Sequence, residues 1–511
     1  MPDIVLATLN ARYAHTAFGL RYLMANLGDL RGRAKILEFE IQQRPTDVVE
    51  RILAEQPRVV GLGVYIWNVD LMTRVVATLK RLRPGITVVL GGPEVGHGPK
   101  DRPIVCDADF VIGGEADLAF ASLCRKIFEG DAPGSKFIEA GLPGLDTIVL
   151  PYALYDEKDV AHRVVYVEAS RGCPFRCEFC LSALDVPVRQ FPLESFLAAM
   201  QVLLDRGVRT FKFVDRTFNL NVGVGLAVLE FFADRYRPGL FLHFEMIPDR
   251  LPAALHDVIR RFPHGALQFE IGIQTFDPVV SARISRRQDN ERIEHNLRFL
   301  RSETGVHIHA DLIVGLPGED LNEFASGFDR LVELAPQEIQ VGMLKRLHGA
   351  PIARHDRDWG MVYAPHAPYE ILQTRSIDFE TMQRLRRFSR YWDLVANSGN
   401  LVETAPLIWE GRSPFRSFLE FSDWLYERVG RTHAIALRRL FETVREYLIT
   451  QRSVAGDRVD ETMTRDYQRG GRTDLPWFLR AGAGVRKKRD RSSATIPRRQ
   501  ARHRPRTEEE A

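Results

Sequence analysis

Val164-Val-Tyr-Val-Glu168-Ala-Ser-Arg171-Gly172-Cys173-Pro-Phe-Arg-Cys177-Glu-Phe-Cys180 is the stretch that decides the fold of this chain. Val164–Ala169 reads as a short buried strand, Ser170-Arg171-Gly172 as a turn, and the three cysteines as a loop beyond the strand's carboxyl end. The rhythm continues downstream. Strand patterns near 163–169, 209–215, 240–246, 267–273, 306–313 and 337–343 are separated by amphipathic segments at 192–206, 222–234, 252–262, 290–304 and 320–334. Six β/α units in series form a partial barrel as readily as an open sheet. In either, functional side chains crowd the carboxyl ends of the strands.

Upstream, residues 3 to about 130 alternate in the same way. Buried-strand runs at Ile4–Leu9, Lys35–Glu40, Val59–Ile66, Ile86–Leu90 and Asp109–Ile112 alternate with helical periodicity over 17–29, 46–55, 69–83 and 116–130. This predicts an open parallel sheet covered on both faces. Its strand ends carry Asn10–His15, Tyr65–Asn68, Gly91-Gly92-Pro93-Glu94 and Gly113-Gly114-Glu115. The glycines suit close backbone approach to a ligand, and equally a plain turn. A Pro/Gly-containing connector, Ala132–Asp156, separates the two series. Beyond about 360 the strand pattern fades into helical spacing at 377–395, 414–429 and 431–450, with Trp392, Trp409 and Trp424 as anchors.

The 511 residues allow two to four domains, and 45% hydrophobic with 27% charged content excludes wholesale disorder. No apolar run approaches the roughly 20 residues that span a bilayer. The N-terminus lacks the charged and apolar regions of a signal peptide, so a cytoplasmic protein is expected. Net charge is +3, yet Arg486–Arg506 alone carries ten Lys/Arg and one acid, which leaves the other 490 residues at −6. That tail has no aromatic residue for base stacking. It reads as a solvated, disordered segment, and nucleic-acid binding is not expected.

Three of five cysteines fall within eight residues, which points to metal chemistry and away from a disulfide framework. Thiolates suit iron–sulfur clusters or zinc. A closed [4Fe–4S] site takes four thiolates, and only three are local here. One iron would therefore stay open, and an open metal position implies a bound reactant. The zinc alternative needs a fourth ligand: His162 precedes the strand and His243 lies two β/α units away.

With these residues in view, positions 160 to 380 resemble the radical S-adenosylmethionine (SAM) family. The resemblance implies a [4Fe–4S] cluster on Cys173, Cys177 and Cys180, whose open iron binds SAM. Glu270-Ile-Gly-Ile-Gln274-Thr-Phe-Asp277-Pro278 with Ser285-Arg286-Arg287-Gln288 resembles the fourth-strand region of oxygen-independent coproporphyrinogen oxidases. It implies Gln274 at the ribose and Arg286 at the methionine carboxylate, where a guanidinium fork matches a carboxylate. Asp311, in Asp311-Leu-Ile-Val-Gly315-Leu-Pro-Gly-Glu319, resembles the acid that holds the ribose hydroxyls. Asp215, after the second strand, occupies the place of the methionyl amino contact but departs from the usual Gly-Gly-Glu. His243, Glu245, Lys345, Arg346 and His348 could face the substrate, with strand packing or surface charge as the plainer alternative.

The leading sheet domain, through Gly91, Gly92, Glu94, Gly113 and Gly114, resembles the cobalamin-binding domain of one large radical SAM class. Tyr65, Trp67 and Asn68 are expected as walls of that site. No Asp-x-His-x-x-Gly occurs, so a histidine ligand to cobalt is not indicated. A purely structural sheet domain is the alternative. The C-terminal region, together with Val5–Leu27, resembles a subgroup with an uncharacterised closing domain. The expected architecture is thus an α/β chain: an open parallel, flavodoxin/Rossmann-like domain over 1–135, a partial (β/α)6 TIM-like radical SAM barrel over 159–380, a mainly helical domain over 381–480 and the tail over 481–511. The resemblance implies methylation of an unactivated carbon of an unidentified substrate, with an electron donor such as flavodoxin or ferredoxin. The alternatives are radical ring closure or rearrangement without methyl transfer, and an iron–sulfur or zinc protein that binds without turnover.

Overall fold

β1 (Ile4–Asn10) is buried at all seven residues, as a strand covered on both faces must be. In this computed structural model, which describes residues 1–184, 187–472, 476, 478–479 and 497–503, β1 lies between β2 (Ala34–Glu40) and β3 (Val59–Gly63). β4 (Thr87–Gly91), β5 (Phe110–Gly113) and β6 (Phe137–Glu139) extend the sheet in the order β2-β1-β3-β4-β5-β6, parallel throughout. This is the flavodoxin-like order, whose switch point lies between β1 and β3. β6 corrects the sequence reading, because its residues fall inside the expected connector.

Side chains alternate between two apolar layers. Val60, Leu62, Val88 and Leu90 pack with the helices Pro45–Ala54 and Val69–Leu82, whereas Val59, Val89 and Ile112 pack with Phe18–Ala25 and Ala119–Glu129. Cys124 belongs to the second layer, which accounts for one thiol outside the cysteine loop.

The chain divides into two compact units. The first holds Met1–Arg216 with Lys345–Ala353 and Ala364–Glu370; the second holds Thr217–Leu344, Arg354–Tyr363 and Ile371 onward. The second β/α series contributes to both. In the first unit, β7 (Val165–Val167) and β8 (Thr210–Phe213) pair in parallel. In the second, β9 (Phe241–Met246), β10 (Leu267–Gln274), β11 (His307–Val314) and β12 (Glu338–Met343) pair successively in parallel. The core is thus a parallel-sheet assembly of the six strands expected.

The second unit also carries the helices Phe379–Trp392, Pro414–Val429, Leu437–Thr450 and Gly456–Arg469. Trp392 is buried against Phe328, Phe388, Trp409 and Phe418, so it does anchor this region. Most of the basic tail lies outside the described residues. Pro497–His503 corrects the solvated reading for its own length. It forms a short helix in which Arg499 Nη2 meets Glu338 Oε2 at 2.8 Å and Asp393 Oδ1 at 2.7 Å, while His503 bonds the Asn397 carbonyl. Among the described residues no helix is long and apolar enough to cross a membrane.

Candidate active site

The cysteine loop is the loop of a hairpin. Ser170-Arg171 pairs antiparallel with Arg189-Gln190, and the three cysteines project from between them. Cys173 and Cys177 are buried and Cys180 is half-buried. Burial pushes the Cys173 thiol up, and the nearness of Cys180 and Cys177 adds to it. Among the described residues no three His, Cys, Asp or Glu side chains converge on one point as ligands of a single ion. A cubane takes its thiolates on separate irons, so zinc, and not a cluster, would require such convergence.

Both ladder arginines at the base of this hairpin reach the loop after β5. Arg171 meets Asp117 at 2.8 and 3.1 Å, Glu115 at 3.0 Å and Glu168 at 2.9 Å, and it lies over the Tyr22 ring at 4.5 Å. Arg189 pairs with the other Glu115 oxygen and donates to the Pro143 carbonyl at 2.8 Å. Burial pushes Glu168 up to about 7 against the pull of Arg171. Asp215 is buried too, and burial raises it to about 6. Its oxygens accept from Ala169 N and, at 2.6 Å, from Ser170 Oγ. It shapes the start of the cysteine loop and presents no open carboxylate, contrary to its expected place at an amino group.

A cavity of about 380 Å³ opens at the carboxyl ends of β3 and β4, beside the switch point. Gly63, Tyr65, Gly91 and Gly92 line one side; Glu115, Asp117, Glu168, Arg171 and Gly172 line another. Gly92 has φ +106°, and a Cβ there would sit 2.4 Å from the Val64 carbonyl oxygen, so only glycine fits. A Cβ on Gly91 would meet nothing within 4 Å: it would occupy open space at the cavity wall. Tyr65 stacks on Trp67 with ring centroids 4.5 Å apart. Of the other expected cobalamin residues, Asn68, Glu94, Gly113 and Gly114 are not among the lining residues. Asn68 is buried and ties the turn together by donating to Leu9 O and Gly63 O and accepting from Tyr65 N.

Glu94 is a correction. Its Oε1 receives the Tyr369 hydroxyl at 2.6 Å and the Arg102 guanidinium at 3.0 Å, with His348 Nε2 at 3.5 Å. The carboxylate therefore anchors the returning segments Lys345–Ala353 and Ala364–Glu370 and is not part of the cavity lining. His348, expected to face substrate, is part of that anchor. Lys345 and Arg346 bridge to Glu370 and Tyr369 through their backbones.

In the second unit, three expected SAM residues gather around Gly272. Gln274 has φ +71° and its Nε2 lies against the Gly272 Cα hydrogens, Arg286 Nη2 donates to the Gly272 carbonyl, and Asp311 is the register partner of Gly272 on β11. Gln288, which sequence reasoning quoted but assigned nothing, accepts from Arg286 Nε at 2.6 Å and donates to Thr275 O at 2.8 Å. Along the same half-buried face His243 meets Glu270 at 3.0 Å, and Glu245 is the register partner of Glu270. The Arg171, Arg189, Glu115 and Asp117 cluster lies outside the sequence reading; an arginine two residues before the first cysteine, in a strand that returns as a hairpin, is the one local signal for it.

Three protein families match the chain: the B12 binding domain over residues 4–124, the radical SAM superfamily over 167–331, and a protein of unknown function (DUF4080) over 357–505. The chain thus joins a B12-binding domain to a radical SAM domain. A relative from Streptantibioticus cattleyicolor, 2-(S-pantetheinyl)-carbapenam-3-carboxylate methyltransferase, is 25% identical over 338 residues, 58% of this chain and 48% of its own length. The cobalamin-dependent radical SAM methyltransferase TokK of Streptomyces tokunonensis is 23% identical over 77% of this chain and 61% of its own. The chain spans about half the length of several curated relatives it matches. The fold is that of the cobalamin-dependent SAM radical enzyme OxsB, at TM-score 0.61 and 11% identity over 92% of this chain and 79% of that one.

The family's cofactors are a [4Fe–4S] cluster, SAM and cobalamin, and the residues fit them: three clustered thiols short of a closed set, and a glycine-walled cavity at a sheet switch point with room where Gly91 has no Cβ. A radical SAM enzyme also takes an electron from a reductant.

Proposed function

We propose that this enzyme methylates an unactivated carbon, with Cys173, Cys177 and Cys180 holding the cluster and Tyr65, Gly91 and Gly92 walling the cobalamin site. When bound, the cluster and SAM supply a hydrogen-abstracting 5′-deoxyadenosyl radical, and cobalamin supplies a methyl carrier. The supporting observation is the cavity whose lining combines sheet-end glycines with the base of the cysteine hairpin. Three thiolates leave one iron for the amino and carboxylate groups of SAM. In the second unit Arg286, held in place by Gly272 and Gln288, is a fixed cation suited to a carboxylate such as that of SAM. Asp311 and Gln274 flank it as acceptor and amide for the ribose, and Asp215 is left out of the set. The electron donor in this reading is a flavodoxin or ferredoxin.

The test is product analysis of anaerobic, cluster-replete protein given cobalamin, SAM and a strong reductant. Formation of both 5′-deoxyadenosine and S-adenosylhomocysteine supports the reading. Deoxyadenosine alone moves the assignment to ring closure or rearrangement, and neither product with the cluster intact moves it to a binding protein.

A further inference from the structure

The base of the cysteine hairpin is only two residue pairs long. An isolated ladder of that length is marginal in water and would let the loop rock. Here both of its strands are tied to one short loop of the sheet domain. Arg171 spreads its guanidinium over Asp117, Glu115 and Glu168, and Arg189 takes the remaining Glu115 oxygen. Asp117 and Glu168 are buried and Arg171 nearly so, with Tyr22 and Phe191 rings covering its faces. A planar fork bound on both edges fixes distance and orientation together, which a lysine cannot do. The same groups border the cavity on one side and lead into Cys173 on the other.

We propose that Arg171, clamped by Asp117 and Glu115, is a positioning residue that sets the cysteine loop at a fixed separation from the cobalamin cavity. The inference rests on the assignment of the cluster and cobalamin sites made above. Its chemical consequence is alignment: displacement of reacting groups by about 1 Å can cost on the order of a hundredfold in rate.

The experiment uses the full-length holoenzyme with reduced cluster and cob(II)alamin, both paramagnetic, and reads their separation by pulsed electron double resonance. Wild type should give one narrow distance distribution. Arg171→Lys and Asp117→Asn should retain cluster iron and bound cobalamin, yet broaden that distribution at least twofold. Glu115→Gln, which weakens the tie to both strands but keeps an amide between the two arginines, should broaden it as well and guards against a variant that fails to fold. Unchanged width in variants that bind both cofactors overturns the proposal, whether or not their thermal stability falls. Wild type that takes up a cluster but no cobalamin overturns the cofactor assignment and this inference with it.

Discussion

Thr275 donates its hydroxyl to Glu319 Oε1 at 2.6 Å, and the other oxygen of that buried carboxyl has no hydrogen-bond partner among the described residues. Burial pushes Glu319 up to about 8 from an ordinary 4.5. The folded protein therefore keeps a proton that the unfolded chain has released. The stability held below the unfolded value is lost as pH rises from about 4.5 through about 8, at most about 1.4 kcal/mol per pH unit. Glu319→Gln should reduce this slope: thermal unfolding followed from pH 5 to pH 8 (approximate limits of that window) should fall less steeply for the variant than for wild type, the remainder coming from Glu168 and Asp215. Parallel slopes would show that Glu319 titrates normally.

Gln288 links Thr275 to Arg286, so loss of its amide should loosen the guanidinium without removing it. Arg286→Lys should raise the KM for SAM on the order of tenfold or more, because a point charge replaces a fork. Gln288→Ala should raise it by roughly threefold, close to the 0.5–1.5 kcal/mol of one hydrogen bond. Deoxyadenosine formation against SAM concentration measures both, and unchanged KM values would place the methionine carboxylate elsewhere.

Gly91 and Gly92 are neighbours with opposite demands. Gly91→Ala should fold with near wild-type thermal stability and lose cobalamin affinity, since its methyl group enters open space at the cavity wall. Gly92→Ala should unfold several degrees lower whatever is bound, because its φ and the Val64 carbonyl both exclude a side chain. Cobalamin titration and thermal unfolding of the two variants separate these effects; equal affinity for Gly91→Ala would move the corrin away from β4.

Glu94 gives the complementary test. Removing it strands Arg102 and the Tyr369 hydroxyl, a loss of about 3 kcal/mol for a buried ion pair broken on one side. Glu94→Ala should show that loss in denaturant unfolding while binding cobalamin as wild type does. Weaker cobalamin binding at full stability would return Glu94 to the ligand site.

The legible part of this chain was whatever its physics kept local. Strand and helix periodicity located β1 to β5 and all six core strands, because burial on both faces writes continuous apolar runs. The cysteines were legible because three ligands share one loop. Gln274, Arg286 and Asp311 are reached through resemblance; the first two touch Gly272 and the third is its register partner. Glu94 after Gly-Gly-Pro reads as a pocket edge, and no local pattern shows that it holds Tyr369, 275 residues away. Arg171 and Asp117 are 54 residues apart, and no pattern of spacing foretells that an arginine beside a cysteine loop will close on an acid of another sheet. β6 escapes sequence reading because two half-exposed residues and an exposed glutamate among glycines and prolines carry too little hydrophobic signal.

Glu338, at the start of β12, is almost wholly buried and meets the guanidinium of Arg499. During synthesis the carboxylate emerges roughly 160 residues before its partner, an interval on the order of ten seconds or more at about 5–20 residues per second. For that time the nascent core carries an acid that must stay hydrated or be neutralised by His307, which lies 2.8 Å from it. The order of translation therefore makes the seating of Pro497–His503 a later event than the folding of the strand that it covers.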